Sequence, residues 1–227
     1  MKAIAKPLTG VSFPTVQAAI AASVTVPLLL ASLHILSPEF DPSWRMVSEY
    51  ANGQYGWVLS LMFIAWAISS WMLAFTLWSQ VGTLAGKIGL FFLIAAGLGE
   101  AMASVFDINH PLHGLAALIG IGSLPVAAML ISISLGRIPE WSAGRQSILW
   151  TANLTWISVL LMAASFALLM ITFAQAGGDM AAGTAPLTLP PGVIALVGWA
   201  NRFLIVVYCA WVANVAWHSI RVHRQGL

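Results

Sequence analysis

Six stretches of about twenty apolar residues, parted by short polar links, run the length of the chain, and no other feature restricts its folding as much. Inside roughly 30 Å of hydrocarbon there is no water to satisfy a backbone N–H or C=O, so each stretch must close its own hydrogen bonds as a helix. The spans fall at about 15–36, 57–79, 88–106, 113–136, 147–174 and 193–217. Charged side chains make up 7% of the 227 residues, too few to solvate the surface of a water-soluble domain. The expectation is an all-α integral membrane protein, one six-helix transmembrane domain over residues 1–227. Lys2 and Lys6 precede the first run as in a secretion signal, but the run is too long and lacks a small-x-small cleavage site, so an uncleaved helix is expected. Cys209 is the single cysteine and lies within a span, which excludes a disulfide framework and a cysteine-based zinc site. With no basic patch and no aromatic RNA-binding signature, nucleic acid is not an expected partner. Membrane lipids are, and other membrane subunits are the remaining class.

Basic residues set the orientation. Lys2, Lys6, Lys87, Arg137, Arg145, Arg221 and Arg224 fall on one side of the six spans; only Arg45 and Arg202 fall on the other. The positive-inside bias puts both termini in the cytoplasm and the chain in the cell inner membrane. Residues 37–56, 107–112 and 175–192 then lie outside, with the Gly-, Ala- and Pro-rich 175–192 link expected to be the least ordered. Aromatic belts agree with this frame: Trp44, Tyr50, Tyr55, Trp57 and Trp199 at the outer interface, Trp78, Trp141, Trp150 and Trp217 at the inner one. His218 and His223, five residues apart and sharing no helical face, read as surface residues of the inner tail.

The acids segregate the other way. Glu39, Asp41, Glu49, Glu100, Asp107 and Asp179 belong to the outer half, as do His34, His110 and His113, so the chemically versatile groups converge there. In "SPEFDPSWRMVSEYANGQYG", residues 37–56, Asp41 before Pro42 reads as the N-cap of a short interfacial helix over about 42–51. Arg45 and Glu49 pair four residues apart on it, and Ser48, Glu49 and Tyr50 either tie spans 1 and 2 together or reach into an outward-facing pocket. In "FDINHPLHG", residues 106–114, Asp107, His110 and His113 offer oxygen and nitrogen ligands suited to zinc or another divalent metal. The other reading is a tight polar link between two helices, and Pro111 limits how the three converge. Haem on His34 and His113 is disfavoured because both sit at helix ends, and retinal is excluded because no lysine lies within a span.

Four short motifs at corresponding places resemble a family of bacterial and archaeal six-helix membrane proteins, domain of unknown function 998. They are "VSEY" ahead of span 2, "FD" ending span 3, "HG" opening span 4 and "NR" early in span 6. The resemblance covers nearly the whole chain and implies a six-helix fold with Ser48, Glu49, Asp107, His113, Gly114 and Arg202 as the family's polar and glycine positions. The link between Asp107 and His113 is shorter than the family pattern. The resemblance implies no activity.

Two further expectations concern packing. Gly99 with Ala103, and Ala116 with Gly120, are small residues four apart that let spans 3 and 4 approach closely, and Pro125 is a place where span 4 can kink, although neighbouring helices can satisfy the carbonyl it frees. Glu100 and Arg202 come out at similar depth, so spans 3 and 6 are expected to be neighbours joined by a Glu100–Arg202 pair, with Asn201 or Asp107 completing the network. The resulting picture is an outward-facing polar pocket drawn from His34, Ser48, Glu49, Tyr50, Glu100, Asp107, His113, Asn201 and Arg202. It would bind a lipid or small apolar molecule, or serve an accessory or sensor subunit. A metal-dependent hydrolase or lipid-modifying enzyme on the outer acid and histidine cluster is the alternative and a transporter the third.

Overall fold

The computed structural model describes residues 13–178 and 188–225. Six helices are long and apolar enough to cross a membrane: α1 Phe13–Leu36, α2 Gly56–Leu77, α3 Leu84–Val105, α4 His113–Leu135, α5 Arg145–Gln175 and α6 Val197–Gln225. The chain is an integral membrane protein of six spans. Helices of 22–24 residues rise about 33–36 Å at 1.5 Å per residue, enough to traverse the hydrocarbon, and the 31-residue α5 rises about 46 Å. Expected and observed boundaries agree within about four residues, except that α6 runs on to 225 instead of ending near 217. Of the 175–192 link, residues 179–187 lie outside the described residues, as do Lys2, Lys6 and Asp179.

The helices form a closed ring in chain order, each packed on its neighbours in sequence, with α6 returning to α1 and also touching α2. Helix α6 is the most enclosed, with more than half of its most apolar window buried, whereas α5 buries only 11% of its own. All buried residues of α5 lie in its first half: Ile148, Ala152, Thr155 and Ser158. Beyond Ser158 no α5 side chain is fully buried; Val159 and Met162 are partly buried against the core, and the rest of that half is more open.

Two sequence features hold α4 in place. Its contact with α3 is the close one expected: a Cβ on Gly99 would overlap the backbone N of Gly120 and come within 2.7 Å of the Ala116 carbonyl. Pro125 cannot donate to the carbonyl of Ile121 one turn back, and Tyr208 of α6 donates its hydroxyl to that oxygen at 2.8 Å. At the end bearing the chain's first span residue, Thr83 caps α3 through Gly86 N and meets Ser134 of α4 at 2.7 Å.

Several expectations about surface residues need correction. Tyr50 and Trp141 are fully buried and are not interfacial anchors, whereas Trp57, Trp78, Trp150, Trp199 and Trp217 are exposed at the bundle ends as expected. His218 is also buried. Its ring lies against Gly144, where a Cβ would come within 2.6 Å of Nδ1, so the close approach of the 139–144 turn encloses it.

Candidate functional site

Residues 37–55 fold over the end of the ring where α1, α3 and α5 finish and α2, α4 and α6 begin. The expected helix over 42–51 shrinks to a 3-10 helix, Val47–Asn52, preceded by turns. Asp41 is the reason the chain turns first: its Oδ1 accepts from the backbone N of Ser43 at 2.9 Å and from the Ser43 hydroxyl at 2.7 Å, a local turn instead of a helix cap. Those two bonds, the backbone one first, hold its carboxyl below the ordinary carboxylate value. Glu49 closes the 3-10 turn from within. Its Oε1 accepts from Met46 N at 2.7 Å, and its Oε2 takes the Arg45 guanidinium at 2.7 Å, the pair expected from their spacing.

The first turn of α6 pins this cap from one face. Gly198 N donates to Ser43 O at 3.0 Å, Asn201 Oδ1 accepts from Val47 N at 2.9 Å, and Arg202 Nη1 reaches the carbonyls of Arg45 at 2.8 Å and Pro42 at 3.4 Å. Arg202 is 4% exposed and spends the rest of its donors nearby: Nη1 on Gly198 O, Nη2 on the Tyr50 hydroxyl at 3.0 Å and Nε on His34 Nε2 at 2.8 Å. Because His34 accepts at Nε2, its proton sits on Nδ1 and is given to the Leu30 carbonyl at 2.8 Å. His34, Glu49, Tyr50 and Arg202 therefore build a cap anchor, and none of them lines a cavity.

The expected Glu100–Arg202 pair does not form, and α3 and α6 are not packing neighbours. Position along a helix carries no information on angular position around the ring. Arg202 faces the cap across α1, while Glu100 faces α2, where Ser70 donates to its Oε2 at 2.9 Å. Asn201 bonds the cap instead, and Asp107 is exposed, accepting from Asn109 N at 2.9 Å in its own link.

The acid and histidine cluster is likewise used locally. His110 is exposed, stacks on Phe106 with ring centroids 4.4 Å apart and accepts Leu112 N at 3.2 Å; His113 Nδ1 donates to the Phe106 carbonyl at 2.8 Å. Asp107, His110 and His113 are not brought to a common point, and among the described residues no three His, Cys, Asp or Glu converge as a metal site. Asn109 Nδ2 reaches Asn52 Oδ1 at 2.8 Å, so the link is tied to the cap.

Directly beneath the cap lies a cavity of about 480 Å³ inside the ring, within the usual range for ligand pockets. It corrects the expected polar pocket, being walled mainly by apolar groups such as Phe63, Trp66, Ile121, Phe166, Leu204 and Ile205. The glycines of the α3–α4 contact, Gly99 and Gly120, also line it. Four of the expected residues do reach it: Ser48, Glu100, His113 and Asn201. Glu100 is 4% exposed, and its Oε1 has no hydrogen-bond partner. Phe166, a half-exposed residue of the cavity wall, belongs to the less buried half of α5. Sequence reasoning missed Ser70, whose signal was available as the pair Ser69–Ser70 within an otherwise apolar span. It also missed Trp66 and Phe166, which look like any other apolar residue of a span.

No curated protein and no solved structure matches the chain. A family profile described as "Protein of unknown function (DUF998)" matches residues 20–218, which include the cap, the cavity and all six helices apart from the outermost ends of α1 and α6. The chain belongs to that family.

Proposed function

We propose that the protein binds a lipid chain or a small apolar molecule in the cavity beneath its cap, receiving it from the bilayer through the gap between α4 and α5. The observation that carries this reading is the cavity itself: about 480 Å³ with apolar walls and one side formed by an α5 segment with no fully buried residue. An apolar guest gains by filling such a space, and a route through the membrane spares it passage through water. Met46, Val47 and Ser48 of the cap line the cavity as well, so an occupant touches the membrane-surface segment directly, as an accessory or sensor subunit would require. Ala117 of α4 lines the cavity, and Ala117→Phe would occupy it. Native mass spectrometry of detergent-purified protein should show an apolar adduct on the wild type and none on Ala117→Phe. Equal adduct on both, or none on either, overturns the reading.

The cap end is assigned to the outer side of the cell inner membrane, with both termini in the cytoplasm. The support is charge: Lys87, Arg137, Arg145, Arg221 and Arg224 stand at the opposite end, against Arg45 of the cap and Arg202 of α6 at the cap end. In a Cys209→Ser background, Asn109→Cys should react with an impermeant thiol reagent on intact cells and Ser142→Cys should not. The reverse pattern rejects the assignment.

A further inference from the structure

Resting on the cavity as a binding site, we infer that its ligand carries a cationic or hydrogen-bond-donating head, an alkyl ammonium group, received by the free oxygen of Glu100. Glu100 sits near the last turn of α3, 4% exposed, with Oε2 committed to Ser70 Oγ at 2.9 Å and Oε1 without a partner. A carboxyl group in a membrane interior is costly unless it meets a donor or a cation, and such residues in spans mark functional sites. Among the described residues no lysine or arginine lines the cavity. The cations nearest in the fold are engaged elsewhere: Arg45 with Glu49, and Arg202 with His34, Tyr50 and three backbone carbonyls. Lys87 is at the far end of α3, bonded to the Trp78 carbonyl. The chain therefore supplies no counter-charge to this carboxyl from its own described residues.

The other polar groups in the wall fit the same ligand. His113 has Nδ1 committed as donor to Phe106, which leaves its second ring nitrogen an acceptor. Ser48 adds a hydroxyl, and Asn201 has its side-chain oxygen already taken by Val47 N. An ammonium has three donors and no acceptor, matching a site with acceptors to spare, and a charge-assisted bond to Glu100 is the strong kind. A carboxylate or phosphate head would bring further acceptors to acceptors, with no lysine or arginine among the described lining residues to offset its charge. The apolar remainder of the ligand lies against Trp66, Ile121 and Leu204, and one that protrudes leaves past Phe166 toward lipid.

The test compares three six-carbon probes that differ only in the head: hexylamine, hexanol and hexanoate. Their binding to the whole detergent-purified protein near neutral pH is followed by isothermal titration calorimetry. Hexylamine should bind at least tenfold more tightly than hexanol, and hexanoate more weakly than either. Glu100→Gln should weaken hexylamine at least tenfold and hexanol less than threefold. If hexylamine and hexanol bind equally to the wild type, and Ala117→Phe abolishes both, the cavity stands and the head-group inference falls. If none of the three binds in a manner that Ala117→Phe abolishes, the cavity reading falls with it. The ranking on the wild type requires no variant, so the inference remains testable should Glu100→Gln fail to fold.

Discussion

Arg202 and Glu100 show how differently two buried charges can be accommodated in one bundle. Arg202 has every nitrogen donating, to three carbonyls, a phenol and an imidazole, so its charge is spread over five acceptors without a carboxylate. Arg202→Ala should therefore destabilise the folded protein by several kcal/mol, since each buried acceptor left without its donor costs about 1–3 kcal/mol. Arg202→Lys should recover little, because one ammonium cannot reproduce a planar fork reaching Pro42, Arg45 and Tyr50 together. The loss from Arg202→Ala should be the same in a Glu100→Gln background, as expected for residues that share no partner. Unequal losses in reversible unfolding from detergent would show that the two are coupled. At Asp41 the sign is set by the Ser43 bonds. Its carboxyl titrates below the usual value of about 3.9, so the turn it stabilises is fully formed above that pH and lost as pH falls through the depressed value. Carboxyl-resolved NMR should show that titration moving up toward the ordinary value in Ser43→Ala, which removes the hydroxyl donor. An unmoved titration would mean the hydroxyl bond contributes nothing.

Among the helices, α4 depends most visibly on its neighbours. Proline inside a membrane helix leaves a carbonyl without its donor, and Tyr208 repairs that gap from across the ring. Tyr208→Phe should cost about 1–3 kcal/mol, the penalty of a buried acceptor left unpaired. The same change in a Pro125→Ala background should cost less, because the helix then supplies its own N–H; equal costs would mean that the tyrosine bond is incidental. At the α3–α4 contact, Gly99→Ala should destabilise by about 1–3 kcal/mol, as overpacking does, while Gly122→Ala, with open space around its Cβ, should be nearly neutral. Both helix-level features were legible beforehand, since Pro125 and the small residues four apart announce a local need whatever stands opposite. The 3-10 helix was not, because Asp41-Pro42-Ser43 fits a helix cap and an Asp turn equally well, and only the anchorage of 42–45 on Gly198 and Arg202 favours the turn.

For the molecule as a whole, apolar run length was enough to give six spans and their approximate ends. It could not give the ring order, and so it could not say which polar residues of similar depth meet. Glu100 with Ser70 and Arg202 with His34 are both angular facts. Of the polar residues expected in the pocket, His34, Glu49, Tyr50 and Arg202 form the anchor, Ser48, Glu100, His113 and Asn201 reach the cavity, and Asp107 stays in its own link, because α6 presents Gly198, Asn201 and Arg202 to the cap while Leu204 and Ile205 line the interior. The change along α5 was also hidden in the sequence. Nothing in its apolar run distinguishes the half with fully buried Ile148, Ala152, Thr155 and Ser158 from the half beyond, where Val159 and Met162 are only partly buried. On the proposed entry route, the α4–α5 seam is the place where the bundle is expected to yield first. Hydrogen exchange in lipid nanodiscs should show weaker protection in residues 159–175 than in residues 145–158. Uniform protection along α5 would mean that the less buried half is held by something other than this chain.

The anchorage of the cap by α6 imposes a timetable on synthesis. Val47 and the Asn201 side chain that receives it are 154 residues apart, and the Arg202–His34 bond spans 168. At about 5–20 residues per second, roughly 8–30 s pass between translation of the cap and translation of its anchor. During that interval Pro42, Arg45 and Val47 have no α6 to bond, and the ring has no sixth wall. A ribosome stalled before residue 197 would thus leave in the membrane a five-helix intermediate with an open interior, its surface loop held by Asn109 and α2 but lacking every α6 bond.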